Sequence, residues 1–199
     1  MKRVPPWLSS LAPAEALPSL LRFAELLTGP ARRLGLVGFP ESQILEQIAR
    51  ALLLNNVLEG RTFVDVGSGG GLPGLPLAIV NPGKGTLVEP RSKAVGFLEK
   101  AVRDLRLDVR VIRSRAQEWA DVEPERAESA VARALAAPRR ASQLCSPLVV
   151  PGGLIVLTSG EEAAKPNLDD FPGIASIEVE KLRASIDISQ SALIMRKHG

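Results

Sequence analysis

Five glycines crowd into the eight residues Gly67–Gly74, directly behind the apolar run Thr62–Val66. Glycine enters left-handed backbone conformations at little steric cost and lets a ligand approach the main chain closely. The stretch Val64-Asp65-Val66-Gly67-Ser68-Gly69-Gly70-Gly71-Leu72-Pro73-Gly74 therefore predicts a strand that ends in a tight loop. A short apolar helix over Gly74–Val80 follows and offers free N–H groups at its start. The alternation then repeats. Strands are expected at Gly85–Glu89, Val109–Ile112, Ser129–Ala132 and Gly153–Leu157. Helical segments are expected at Ser92–Leu105, Ala116–Ala120 and Pro138–Val149, with Pro151-Gly152-Gly153 as a turn. Strands alternating with helices predict an α/β fold, a parallel doubly wound sheet with helices on both faces. The tail breaks the rhythm, because Ile174–Lys181 and Ala192–Lys197 read as two strands with no helix between them, an antiparallel hairpin closing one sheet edge.

Two helices precede the first strand, at Ala14–Leu27 and at Pro40–Val57, and Thr28-Gly29-Pro30 is expected to stop the first. Residues 1–12 are expected to be poorly ordered. The chain thus divides into an N-terminal helical extension (1–60) and a main domain (61–199), one compact unit overall.

With 45% hydrophobic and 24% charged residues, the 199-residue chain can bury a substantial core. Prolines interrupt the N-terminal stretch, and no apolar run approaches the roughly 18 residues of a membrane span, so a cytoplasmic location away from membranes is expected. The net charge of +3 is compatible with a nucleic-acid partner without requiring one. A single cysteine, Cys145, and a single histidine, His198, exclude a disulfide framework or a cysteine zinc site, and tyrosine is absent.

Ligands of open α/β sheets bind outside the carboxyl ends of the strands, where this loop would lie. Gly69-x-Gly71-x-x-Gly74 also fits a dinucleotide fingerprint, with Glu89 near the position of its ribose-binding acid. Two details favour S-adenosylmethionine. Asp65 stands two residues before the first glycine, where similar methyltransferases keep an acid near the amino end of the cofactor, and Pro73 interrupts the helix start that a pyrophosphate would need. Glu89 could accept two hydrogen bonds from ribose hydroxyls, although a strand-end carboxylate can also be merely solvated. Ala116 and Gln117 follow the third strand, where they could meet an adenine edge.

The segment Asp65-Val-Gly-Ser-Gly-Gly-Gly-Leu-Pro-Gly-Leu-Pro-Leu-Ala-Ile79 resembles the ribosomal RNA small-subunit methyltransferase G family, also called glucose-inhibited division protein B. Further matches lie in Leu87-Val-Glu-Pro-Arg-Ser-Lys93, Phe97-Leu98, Arg113-Ser-Arg-Ala-Gln117, Ala132-Arg-Ala-Leu135 and Leu193-Ile-Met-Arg-Lys197. The likeness runs over residues 35–197 and is strongest over 62–136. It implies a class I S-adenosylmethionine-dependent methyltransferase (Rossmann-like) fold and transfer of a methyl group to N7 of a guanine in 16S ribosomal RNA. It implies that Gly67 and Leu72 line the methionine end of the cofactor, Glu89 the ribose and Ala116 with Gln117 the adenine; Gly69 is expected among the cofactor-binding residues too. Arg133 would belong to the shared cofactor and substrate site. The partner implied is 16S RNA or the small subunit, met by a monomer.

The residue inventory agrees with N7 chemistry. Methylating an exocyclic amino group usually draws on an aromatic such as tyrosine, and methylating cytosine carbon on a cysteine after proline; Cys145 follows Leu144 on an expected helix and reads as core. The guanine N7 lone pair is already free, so no catalytic acid, base or metal ligand is expected, and orientation carries the rate. Oxygen methylation with an uncommon base survives the same argument. Arg32, Arg33, Arg91, Lys93, Arg139 and Arg140 are candidate RNA contacts as a set, with Phe39 as a stacking residue.

Three segments depart from the family pattern. Gly35-Leu36-Val37 stands for Asn-Leu-Thr, Gln47-Ile48-Ala49-Arg50-Ala51-Leu52 for His-Ile-x-Asp-Ser-Leu, and Thr158-Ser159-Gly160 replaces a lysine before glycine. The substrate side is thus altered at Gln47, Arg50 and Ser159. Methylation of another RNA or a small molecule, or cofactor and ribosome binding without turnover, stays open beside the leading reading.

Overall fold

The computed structural model describes residues 5–81, 84–123, 127–159, 165–185 and 188–199. Seven strands form one sheet: β1 (Thr62–Val66), β2 (Lys84–Val88), β3 (Val109–Ile112), β4 (Ala127–Ala132), β5 (Val149–Ser159), β6 (Ile174–Arg183) and β7 (Ser189–Lys197). Their order is β3-β2-β1-β4-β5-β7-β6. The pairs β1–β2, β1–β4, β2–β3 and β4–β5 are parallel, whereas β7 runs antiparallel to both β5 and β6. The chain order reverses between β1 and β4, which opens a crevice at their carboxyl ends. Strand β1 is buried on both faces, with Phe63, Val64 and Val66 at most 2% exposed, as a central parallel strand must be.

Helices cover both faces. On one lie α1 (Pro6–Ser9), α2 (Leu17–Leu26), α3 (Ile44–Leu53), α4 (Gly74–Val80) and α5 (Ser92–Leu105), and on the other α6 (Ala116–Val122) and α7 (Pro138–Cys145). Helix α5 puts Ala94, Val95, Phe97, Leu98, Ala101 and Leu105 inward at helical spacing and ends on left-handed Arg106. The N-terminal helices share this core: Leu8, Leu20, Phe23, Ile48 and Leu52 sit in one cluster with Leu75, Leu87 and Leu98.

Three expectations are corrected here. Residues 1–4 lie outside the described residues, but the rest of the segment expected to be poorly ordered carries α1, whose Leu8 is fully buried. Thr28-Gly29-Pro30 does not stop the second helix. The chain passes through it as a π-type turn over Leu27–Ala31, a wider turn that tolerates the missing N–H of Pro30. The stop comes at left-handed Gly35, where the Leu36 N–H reaches back to the Ala31 carbonyl. Finally, the helix expected to end at Val149 ends at Cys145 with one 3-10 turn to Leu148, and Pro151-Gly152-Gly153 lies inside β5. Ala127 pairs with Val149 but Ser129 with Leu154, so the extra residues bulge out at left-handed Gly152.

Candidate cofactor site

The loop after β1 is fastened to its neighbours by main-chain and side-chain bonds. The N–H groups of Gly67 and Ser68 donate to the Val88 carbonyl at 2.8 and 3.2 Å, and the Glu89 N–H donates to Ile112 at 3.0 Å. Gly67 and Gly69 hold φ of 77° and 52°, values that L side chains adopt only under strain. Both turns are needed for the loop to double back over the end of the sheet.

Two carboxylates flank these glycines. Asp65 is 1% exposed, and its Oδ2 accepts the Gly74 N–H at 3.0 Å, which satisfies one donor at the start of α4. Its Oδ1 is buried with no hydrogen-bond partner among the described residues. Burial pushes the Asp65 carboxyl from 3.8 up to about 7, against the opposing pull of the Ser68 hydroxyl and the Gly74 N–H. Glu89 lies just beyond β2 and is 2% exposed. Its Oε2 accepts the Gly69 N–H at 2.9 Å, while Oε1 accepts the N–H and Nε–H of Arg91, each at 2.9 Å. Burial pushes Glu89 up as well, yet the bonds from Arg91 and Gly69 outweigh it and hold this carboxyl below its ordinary value. Two buried acids at the ends of adjacent strands thus shift in opposite directions: burial prevails at Asp65, and the donors prevail at Glu89.

The other expected site residues come to the same edge. Ala116 and Gln117 open α6 just past β3, with Ala116 buried beside Val66 and Val88 and Gln117 exposed. Arg133 follows β4 directly. Its Nη2 donates to Gln47 Oε1 on α3 at 2.6 Å, and its Cζ lies 5.8 Å from the centroid of the Phe39 ring, within cation–π range. Half-burial and the positive charge of Arg50 lower the guanidinium pKa, with Asp65 acting against them. Gly67, Gly69, Leu72, Glu89, Ala116, Gln117 and Arg133 therefore converge from the ends of four adjacent parallel strands.

Sequence reasoning missed the walls. Leu135 packs so that a Cβ at Gly67 would stand 2.7 Å from its Cδ1, and a Cβ at Gly70 would meet the Leu36 carbonyl at 3.1 Å. The 35–39 segment thus leans over the glycine loop. Leu36 stood only inside the Gly35–Val37 departure from the family pattern, and Leu135 only inside the Ala132–Leu135 match. Among the candidate RNA contacts, Arg33, Lys93, Arg139 and Arg140 are exposed and make no ion pair among the described residues, whereas Arg32 donates to the Phe39 carbonyl and Arg91 holds Glu89. The side chain of Ser159 and all of Gly160 lie outside the described residues. Cys145 is fully buried on α7, as the core reading requires.

The geometry suits S-adenosylmethionine: a buried acid with an unpartnered oxygen, a second acid across the loop, and glycines that keep side chains out of the space between. The model for rRNA small subunit methyltransferase G matches residues 16–183. A ribosomal RNA small subunit methyltransferase G from Anaeromyxobacter sp. (strain Fw109-5) is 34% identical over 189 residues, covering 90% of this chain and 87% of the relative. One from Mycolicibacterium gilvum is 33% identical over 84% of this chain and 76% of the relative. A third, from Salinispora arenicola, is 48% identical, but this match spans only 53% of the chain and about half (46%) of the relative. Among solved structures, MtNAS in complex with MTA and tNA superimposes with a TM-score of 0.62 at 19% identity over 88% of this chain and 71% of that one. An rRNA methylase from Streptococcus thermophilus gives 0.52 at 14% identity over 75% and 94%. The fold is that of the class I S-adenosylmethionine-dependent methyltransferases, and the chain belongs to the rRNA small subunit methyltransferase G family.

Proposed function

We propose that the chain transfers a methyl group from S-adenosylmethionine to N7 of a guanine in 16S ribosomal RNA, acting as a cytoplasmic monomer on the small subunit or its RNA. The observation that carries the reading is the pair of buried acids, Asp65 and Glu89, on either side of left-handed Gly67 and Gly69, in a chain of this family. When bound, the cofactor supplies an electrophilic sulfonium methyl. Asp65 Oδ1 would accept from its ammonium, Glu89 would exchange part of its present bonding for ribose hydroxyls, and Ala116 with Gln117 would border the adenine. Arg133 would offer N–H donors to carboxylate or phosphate oxygens at the mouth. No acid or base is assigned, because N7 carries its lone pair outward; the protein's part is to hold the acceptor in line and exclude water. Exposed Arg33, Lys93, Arg139 and Arg140 would meet RNA phosphates.

Mass mapping of 16S RNA from cells with and without the gene tests this. Loss of one N7-methylguanine, restored by purified protein and S-adenosylmethionine on small subunits, is the expected result; an unchanged modification map would overturn it. Gln47 and Arg50, which depart from the family pattern, favour one second reading, in which the same cofactor site serves another RNA. A methyl group appearing elsewhere on RNA in the same assay would select it.

A further inference from the structure

We propose that Gln47 is a positioning residue for Arg133, and that the N-terminal helical layer thereby sets the geometry of the cofactor site. The inference rests on the cofactor reading above. A guanidinium carries five N–H donors in a fixed fork. Only one of them, on Nη2, meets a protein acceptor among the described residues, and that acceptor is Gln47 Oε1 at 2.6 Å. Among the described residues no carboxylate pairs with Arg133: Glu46 is engaged by Arg50 at 2.8 Å, and the influence of Asp65 on Arg133 is one of charge at a distance.

Left to itself, this guanidinium would swing out. Arg50 sits one helical turn from Gln47 on the same face of α3, and its charge repels Arg133. Half-burial disfavours the cation further. What opposes both is the Gln47 carbonyl, aided by the Phe39 ring and by the backbone. Ala134, the next residue, holds φ of 51° without being glycine. That strained turn lies between Arg133, which bonds α3, and Leu135, which packs against Gly67. Among the described residues no other acceptor takes the remaining donors, at the strand-end edge that also carries Asp65, Gly67 and Glu89.

Calorimetry of S-adenosylmethionine binding to the full chain tests the pairing, using Gln47→Leu, Gln47→Glu, Arg133→Met and the double variant Gln47→Leu/Arg133→Met. Losing an acceptor to a charged donor should weaken binding roughly tenfold in Gln47→Leu. Gln47→Glu, which keeps an accepting oxygen, should stay within about threefold of the parent chain. In the Arg133→Met background, Gln47→Leu should have no further effect, because its partner is gone. Urea midpoints of Gln47→Leu and the parent should agree, which a purely structural role would not give. Equal weakening by Gln47→Leu in both backgrounds, or no weakening at all, overturns the proposal. Should Gln47→Leu fail to fold, Gln47→Ala replaces it in the same cycle. Failure to methylate 16S RNA with cofactor binding intact would overturn only the substrate reading, whereas no binding by the parent chain would remove both.

Discussion

Asp65 makes the stability of this protein depend on pH in an unusual direction. Its carboxyl is buried with one oxygen unpartnered, and it releases its proton at about 7 instead of 3.8. Between those values the folded chain holds a proton that the unfolded chain has already lost. This group's contribution is therefore fully present below about pH 4, falls as pH rises and is exhausted above about 7. At about 1.4 kcal/mol per pH unit, the interval is worth about 4 kcal/mol. Asp65→Asn keeps an oxygen to accept the Gly74 N–H and cannot ionise. Urea unfolding of both chains from pH 4 to 8.5 gives the difference directly, and carboxylates held low by their partners, such as Glu89, Glu128 and Asp104, cancel in it. The Asn variant should gain about 4 kcal/mol relative to the parent between pH 4 and 7 and no more beyond. A constant difference across that range would refute the claim that the proton is lost near neutrality. S-adenosylmethionine affinity should rise from pH 6 to 8 in the parent, as the carboxylate that would face the ammonium forms, and stay flat in Asp65→Asn.

Gly69→Val should abolish S-adenosylmethionine binding in calorimetry while costing only about 1–2 kcal/mol in urea unfolding. A Cβ there meets Arg91 Nη2 and the Gly67 carbonyl at ordinary distances of 3.5 and 3.8 Å, so the cost is the φ of 52°; unchanged affinity would mean the site lies elsewhere. Burial pushes the Cys145 thiol well above its usual range, so a disulfide reagent should label it at the rate of unfolding and far faster in urea. Glu128 Oε2 accepts from the N–H groups of Arg61 and Thr62 and from the Thr62 hydroxyl at 2.7–2.9 Å, tying the entry of β1 to β4. Glu128→Ala should cost about 1–2 kcal/mol in urea unfolding, discounted for its partial exposure. Since these bonds hold the Glu128 pKa below its ordinary 4.5, the loss should shrink as pH falls below that value.

The glycine loop and the alternation were legible because both are local. An apolar run such as Thr62–Val66 records a strand buried on both faces, and a string of glycines records left-handed turns at Gly67 and Gly69. Where tertiary packing overrode local preference, sequence reasoning failed. Pro30 reads as a helix stop, but the buried neighbours Leu27 and Ala31 draw the chain on through a π-type turn. Pro151-Gly152-Gly153 reads as a turn, yet the pairing of β5 with β4 and β7 absorbs it as a bulge. Proline-rich flanks hid α1, because nothing near Leu8 in sequence announces that it will be fully buried. The contact between Arg133 and Gln47 spans 86 positions, and no spacing rule reaches that far.

That long contact bears on what the N-terminal 60 residues are. The sequence places two helices ahead of the first strand, an extension within one compact unit. The packing ties this segment to the sheet at two levels. Leu20, Phe23, Ile48 and Leu52 are part of the cluster that holds Leu87 of β2 and Leu98 of α5, so they share one core with α4 and α5 on that face of the sheet. Leu36 stands against Gly70, Phe39 lies beside Arg133, and Gln47 bonds it, so the same segment that closes the core also shapes the mouth of the glycine loop. The helical layer and the glycine loop therefore meet at one short segment: Gln47 bonds the Arg133 guanidinium, and two residues on, Leu135 packs against Gly67. On the proposed reading, a substitution at Gln47 changes the cofactor side through Arg133.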